Sequence, residues 1–487
     1  MKAKSKKKTI GVIGIVLVLL LGILLVLILP ARAQSGESLF GTRVVRAEPL
    51  YIILIFLLLL PLVLLFLLIS LLVEKYTKPD KTVLHASRVL ANGKTAQCEV
   101  RGEPSTAPVP AGSESAADGE GAPEEQPAGG RFCKLTILDE TRNRYLRSDY
   151  DDTVTLRHLC DNFRNYAASR LKLYYDIADI RRFIAGLAVS RLLILQGMSG
   201  TGKTSLAHAF GDFMDNVSTV IPVQPMWKER TDLIGYYNEF TKRFNETTLL
   251  EKMYEANYSK DLYITVLDEM NIARVEYYFA EFLSLLELPN EEERLLTVVS
   301  DVWADDPAQL QGGAIKLPPN MWFIGTANND DSTFAISDKV YDRAMILNLD
   351  IKCEPFEAPL VGKMRFSAAQ FERLARQAMR EYEITARNLG RLLELDKYLI
   401  EHFHITFGNR IMKQIREYIP VYVACGGEEL EALDDILSKK VLRKLEMQNP
   451  IYLRNAAGGL CAYLDELFGE GRMPLCHAFM ERLQRTV

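Results

Sequence analysis

One fifteen-residue stretch, LLILQGMSGTGKTSL at residues 192–206, constrains the fold of this 487-residue chain more than any other. An apolar run, Leu192 to Leu195, gives way to a glycine-rich turn and then to Lys203-Thr204. That order predicts a buried strand, a phosphate-cradling loop and a helix start. Gly197, Gly200 and Gly202 allow the backbone to curl so that successive N–H groups face phosphate oxygens, and the positive end of the following helix adds its partial charge. Lys203 then brings a full positive charge to the β- and γ-phosphates, and the Thr204 hydroxyl takes one site on Mg²⁺.

Apolar content of 48% is high for a wholly soluble chain, and the excess lies at the N-terminus. Residues 9–29 and 50–73 contain no charged side chain, and each run exceeds the ~20 residues needed to cross a bilayer as a helix. With central Leu, Ile, Val and Phe favouring insertion, each run gains on the order of 5–10 kcal/mol from the bilayer. Five lysines (Lys2, Lys4, Lys6, Lys7, Lys8) precede the first run, and Lys75, Lys78 and Lys81 follow the second; the connector carries Arg32, Arg43 and Arg46. The cationic excess at both outer ends predicts a transmembrane hairpin, with both termini and everything after residue 74 on the cytoplasmic side. The plasma membrane of a bacterium is the expected location. Ala31-Arg32-Ala33 also fits a signal-peptide cleavage site, and either reading leaves the remainder cytoplasmic.

The regions follow in order. Residues 1–8 form a basic tail, 9–29 and 50–73 the two spans, and 74–101 a juxtamembrane region. Residues 102–130 hold five prolines, six glycines, six acidic residues and no Lys or Arg, the composition of a flexible linker. Residues 131–190 read as a small hairpin (FCKLTILDETRNRYL alternates over 132–146) and a helical extension with Leu156, Leu159, Phe163, Tyr166 and Ala167 on one stripe. The interleaved Arg164, Tyr166, Arg170, Lys172, Tyr174 and Tyr175 read most plainly as the solvated face of those helices. Residues 191–355 alternate strands and helices, with strands expected at Leu192–Leu195, Ser218–Val223, Leu262–Leu267, Met321–Thr326 and Ala344–Leu349. The fold class is therefore α/β, a parallel sheet with helices on both faces. Residues 356–487 are helical by pattern. The seven cysteines have no metal-ligand spacing and fit free thiols in a reducing compartment.

Phosphate-ester hydrolysis needs a metal, an oriented water and positive charge at the departing phosphoryl group. Asp268, ending an apolar strand, fits a ligand to Mg²⁺ shared with Thr204, and Glu269 fits the carboxylate that orients and deprotonates water. Asn328, at the tip of the next strand, can bond that water or the γ-phosphate.

The segments GMSGTGKTS (197–205), ITVLDEMNIARVEYYFAEFLSLLE (264–287), MWFIGTANNDDST (321–333) and SDKVYDRAMIL (337–347) resemble AAA+ ATPases of the McrB-like and dynein-related branch. The resemblance implies a P-loop NTPase core with a C-terminal helical lid. It also implies nucleotide contacts from Gly197, Met198, Ser199, Gly200, Thr201, Gly202, Lys203, Thr204 and Ser205. Asp268 and Glu269 match the Walker B pair, Asn328 matches sensor 1, and Asn271 matches the asparagine that follows the acids in McrB-like proteins. Arg343 matches an arginine finger reaching a neighbouring subunit, and Arg410, in Phe407-Gly408-Asn409-Arg410-Ile411, resembles a sensor-2 arginine on the γ-phosphate. The plain alternative for Arg343 is an ion pair with Asp342 or Asp338. McrB-like proteins carry an arginine in the segment where this chain reads Ala327-Asn328-Asn329-Asp330-Asp331-Ser332-Thr333, so ATP and GTP both remain open as fuels.

Three functions follow from these readings. The first is a membrane-anchored AAA+ ATPase, Mg²⁺-dependent and assembled from copies of itself in a ring, that remodels an unidentified protein client. The second is a nucleotide-driven DNA translocase serving a separate nuclease; a net charge of −5 and the absence of a DNA-recognition motif weigh against nucleic acid as partner. The third is a nucleotide-switched scaffold with little hydrolysis.

Overall fold

The computed structural model describes residues 130–151, 153–328 and 333–486. Both apolar runs, the juxtamembrane region and residues 102–129 of the linker lie outside them. Among the described residues no helix is long and apolar enough to cross a membrane.

Arg131, at the start, is buried, and its guanidinium forms a two-pronged bond to Asp306, with Nε and Nη2 each 2.7 Å from a carboxylate oxygen. It also lies 4.5 Å from the Trp303 ring centroid. The expected hairpin over 132–146 is instead helix α1, Lys134–Thr141, followed by a 3₁₀ turn. The physical reason is non-local. The Glu246 carboxylate accepts N–H bonds from Cys133, Lys134 and Leu135 (2.9–3.1 Å), satisfying donors that a helix start leaves open, while Phe132 stacks on Phe244 at 5.0 Å.

Helix α2, Leu156–Leu171, begins at Thr155, whose hydroxyl accepts from the His158 N–H, and α3, Ile177–Val189, begins at Asp176, which accepts from the Ala178 N–H. The stripe Leu156, Leu159, Phe163, Tyr166 and Ala167 is buried, as its spacing predicts. Next come β1 (Leu192–Gly197), α4 (Lys203–Phe213), β2 (Thr219–Pro222), the single-turn α5 (Thr231–Ile234), an antiparallel hairpin of β3 (Gly235–Asn238) and β4 (Arg243–Glu246), and α6 (Thr248–Ala256). Strand β5 (Tyr263–Asp268) leads to α7 (Val275–Tyr278) and α8 (Ala280–Leu285). A small antiparallel sheet of β6 (Leu295–Thr297), β7 (Leu310–Gln311) and β8 (Ala314–Lys316) precedes β9 (Met321–Asn328), α9 (Asp338–Tyr341) and β10 (Met345–Asn348).

The main sheet runs β10-β1-β9-β5-β2 and all its pairings are parallel. Strand alternation divides the core in two. Leu193, Leu195, Ile264, Val266, Trp322, Ile324, Met345 and Leu347 face one cluster with α2, α3 and α4. Leu192, Ile194, Tyr263, Leu267, Met321, Phe323 and Ile346 face the other, with α6, α7 and α8. Burial on both faces is why these strands read as continuous apolar runs.

The C-terminal region is helical, as expected: α10 (Ala368–Glu381), α11 (Ala386–Phe403), α12 (Gly408–Ala424), α13 (Glu429–Ile436), a π turn at Leu437–Val441, a 3₁₀ segment, α14 (Pro450–Phe468) and α15 (Pro474–Thr486). It shares the first cluster with the sheet, chiefly through α12 against α3. Trp322 anchors that cluster. It is fully buried, its indole N–H donates to the Leu187 carbonyl at 2.8 Å, and the Arg191 guanidinium lies 3.8 Å from its ring centroid. Trp322→Ala is expected to cost about 3–5 kcal/mol, read as a lowered midpoint in urea unfolding; a loss under 1 kcal/mol would show the site collapsing around the smaller side chain.

Candidate functional site

The sheet brings three strand ends together. In register, Gly197 at the end of β1 lies opposite Asn328 at the end of β9, and Leu267 lies opposite Gly325, which sets Asp268 beside Thr326. Ligands of open α/β sheets bind at these carboxyl ends.

Two glycines make the loop possible. Gly197 has φ +144°, and a Cβ there would fall 2.3 Å from the Leu349 carbonyl oxygen; Gly202 has φ +93° and packs under the Tyr175 hydroxyl. Met198, Ser199, Gly200 and Thr201 form the turn, with the Thr201 hydroxyl donating to the Met198 carbonyl at 3.0 Å, and Lys203, Thr204 and Ser205 open α4. The Lys203 side chain is buried against its own loop, and its ammonium donates to the carbonyls of Gly197 (2.9 Å) and Met198 (2.8 Å). Phosphate oxygens are stronger acceptors than these carbonyls, so the ammonium has a better partner available whenever a phosphate enters the loop.

The Thr204 hydroxyl donates to Asp268 Oδ1 at 2.7 Å. Thr326, missed in the sequence, completes this cluster: its hydroxyl donates to the same oxygen at 2.9 Å and accepts the Glu269 N–H at 2.8 Å. Glu269 is held at φ +53°, a left-handed conformation that costs a non-glycine residue about 1–2 kcal/mol. Such strain persists where surrounding bonds over-determine it. Asn328 is half-buried, and its carbonyl accepts from Asn271 Nδ2 (2.9 Å) and Thr333 Oγ1 (3.1 Å), so buried Asn271 holds the strand tip. A threonine inside an otherwise apolar strand was the available signal for Thr326.

Beside the loop lies a cleft of about 840 Å³, lined by Tyr175, Gly202 and Asn348 from the sheet side and by Lys439 and Arg443 from the C-terminal helices. The Tyr175 hydroxyl donates to the Gly202 carbonyl at 3.0 Å, and burial raises its pKa, so it stays protonated. The interleaved basic and aromatic residues are thus partly absorbed into the protein: Tyr166 donates to Asp212, and Arg164 lies 4.0 Å from the Phe356 ring centroid.

Two arginines fall elsewhere. Arg343 precedes β10, and its carbonyl accepts from the Ser190 hydroxyl at 2.9 Å, at the amino end of the strands. It pairs with neither Asp342 nor Asp338; Nε lies 2.9 Å from Glu287, by charge rather than by an aligned hydrogen bond, and Asp338 is held by Arg443. Arg410, which resembles a sensor-2 arginine on the γ-phosphate, lies on the same Glu287, with Nη2 at 2.5 Å. That position is at the end of the sheet away from the loop, because α8 has carried the chain back from β5 to the amino ends of the strands.

Residues 192–344 match the family of AAA domains of the dynein-related subfamily, and residues 361–486 match a domain of unknown function (DUF8727). A candidate ATPase from Cytophaga hutchinsonii is structurally similar with a TM-score of 0.40 at 13% identity, over 68% of this chain and 96% of that one. A full-length MCM homolog from Methanopyrus kandleri gives a TM-score of 0.36 at 14% identity, over 61% of this chain and 62% of that one, so less than two thirds of that protein is spanned. No curated protein matches the sequence. The family match takes in the loop, both acids, Asn328 and Arg343 together, and on that ground the chain carries an AAA+ ATPase-type domain across residues 192–344.

Proposed function

We propose that the chain is a membrane-anchored AAA+ ATPase that hydrolyses ATP with Mg²⁺ at interfaces between copies of itself and uses the cycle to remodel a protein client. The observation carrying this reading is the separation of its two halves. Thr204, Asp268, Thr326 and Glu269 cluster at the carboxyl ends of the strands, whereas Arg343 sits beside Ser190 at the amino end. At about 3.3 Å per residue, seven residues of β1 and its flank put the arginine roughly 20 Å from its own loop, farther than its side chain extends. A role for Arg343 on phosphate therefore requires a second subunit.

Within one site, Lys203 holds the β- and γ-phosphate charge, and the Glu269 carboxylate orients a water and accepts its proton. Asn328 donates to that water or to the γ-phosphate. The Thr204 hydroxyl and Asp268 carboxylate, already in contact, are hard oxygen donors suited to Mg²⁺, which when bound neutralises charge on the β- and γ-oxygens. Tyr175, Asn348 and Lys439 are placed to meet the nucleoside in the cleft. Titrating the protein with ATP and GTP in competition assigns the fuel, and ten-fold or greater preference for GTP would overturn the ATP assignment.

The apolar runs 9–29 and 50–73 support anchoring, and protease protection in sealed vesicles tests it: a cytoplasmic ATPase domain is cut from the cytoplasmic face alone. For the client, the insertion between β2 and α6 exposes Met226, Tyr236 and Phe240, the last 99% exposed at the tip of the β3–β4 turn. The Asn238 carboxamide fixes that tip by accepting from the Phe240 and Thr241 N–H groups. Phe240→Ala is expected to leave basal turnover unchanged while lowering client recovery several-fold from a hydrolysis-blocked Glu269→Gln trap. Undiminished recovery would sink the role of the hairpin.

A further inference from the structure

We propose that Lys440 is a positioning residue for Arg343, so that the C-terminal helices, rather than the sheet domain that carries it, set where this arginine stands. The proposal rests on the reading of Arg343 as the group that completes a neighbouring site.

The segment around Arg343 is short of internal bonds. Helix α9 is a single turn, so its last carbonyls find no partners further along it. They are met by the C-terminal region. The Lys440 ammonium donates to the carbonyls of Tyr341 (2.5 Å), Asp342 (3.4 Å) and Ala344, and Gln414 Nε2 donates to the Asp342 carbonyl at 3.1 Å. Arg443 adds an ion pair to Asp338 and lies 3.5 Å from the Tyr341 ring centroid. Of the four carbonyls from Tyr341 to Ala344, three are held by residues after 408, and the fourth, that of Arg343, is held by Ser190. The side chain obeys the same rule, since its counter-ion Glu287 is shared with Arg410 of α12.

Lys440 is only 5% exposed, and an ammonium so placed pays a desolvation penalty that an apolar side chain of similar length would avoid. Its bonds to carbonyls account for its presence there. The π turn at Leu437–Val441 also gives it a particular neighbour. Lys439, one residue earlier, lines the cleft beside the phosphate loop and is bonded to Asp435. Contact with a nucleotide in the subunit's own cleft is therefore one residue away from the grip on the arginine offered to the next subunit.

Burial pushes the Lys440 ammonium down to about 7, against the opposing pull of Asp342; Arg443, Arg410 and Lys444 add to the lowering. Below that pH the ammonium has three N–H donors for the three carbonyls. Above it, the neutral amine turns a lone pair toward one of them and the hold loosens. The part of kcat that depends on Arg343 should thus fall as pH rises through about 7.

The test uses the full chain in detergent or vesicles, with ATP as the probe. Lys440→Met is expected to lower kcat about tenfold with KM and nucleotide affinity unchanged, and to cause no further loss in an Arg343→Ala background. Lys440→Arg, which keeps the charge at all relevant pH, should retain most of the rate and lose the pH step. Equal losses from Lys440→Met in both backgrounds, or a raised KM at full kcat, overturn the proposal. If Lys440→Met does not fold, Lys440→Arg decides alone, because an unaltered pH step in that variant overturns it as well. An Arg343→Ala variant at full rate would instead overturn the intersubunit reading on which the proposal rests.

Discussion

Glu269→Gln is expected to stop turnover while leaving nucleotide bound. The substitution keeps the size of the side chain and removes its basicity, so the water facing the γ-phosphate loses its proton acceptor. General-base contributions of this kind are typically ~10²–10⁴ in rate. Binding should survive because it draws on the loop amides, Lys203 and Thr204, which are held by the Gly197 and Met198 carbonyls and by Asp268. Phosphate release and nucleotide retention measured on the same preparation check both halves. Phosphate release within a factor of five of the unaltered protein would move the base to another residue. The backbone offers an internal control. Because Glu269 is already held left-handed, Glu269→Gly should be better tolerated in stability than an ordinary glycine substitution, yet equally inactive.

The second large effect comes from mixing. Lys203→Ala removes the positive charge on the phosphates, and Arg343→Ala removes about 10³–10⁵ of rate if the arginine stabilises the departing charge. Each variant alone should be nearly inactive. In a mixture, an Arg343→Ala subunit supplies an intact loop and its Lys203→Ala neighbour supplies an intact arginine, so activity should return to a fraction of the unaltered level fixed by how often the two sit in the productive order. Activity should also depend on protein concentration, as assembly requires. A mixture no more active than its parts would show that loop and arginine do not meet across an interface. Neither variant should alter the fold: the Lys203 ammonium bonds the Gly197 and Met198 carbonyls of its own loop, and Arg343 forms its ion pair at a partly exposed position.

The strands were legible in the sequence to within one or two residues, most plainly β1, β5 and β9, which lie inside the sheet with core on both faces and are apolar almost throughout, whereas β2, half-exposed at the sheet edge, was marked by its place in the strand-helix alternation. The meeting of Thr204, Asp268, Glu269 and Asn328 at the strand ends was legible because each follows or ends an apolar strand in a fixed order along the chain. What escaped was determined by distant residues. Helix α1 exists because Glu246, more than a hundred positions away, caps it, so local alternation pointed to the wrong element. The β3–β4 hairpin and the β6-β8-β7 sheet have strands of two to four residues, too short for periodicity to register. The ion-pair partner of Arg343 is not among its sequence neighbours: Asp338 is taken by Arg443, and the carboxylate that reaches the arginine lies 56 positions earlier. Arg410 was read from the residues around it, while its place is set by where α12 docks on α3.

The fork between Arg131 and Asp306 has a mechanical consequence. Any pull on the chain ahead of residue 131 reaches this joint before it reaches helix α1. It then acts on two parallel N–H···O bonds that must break together rather than one after another. Because the joint is buried, salt screens it little, so the load it can bear is nearly the same at low and at high ionic strength.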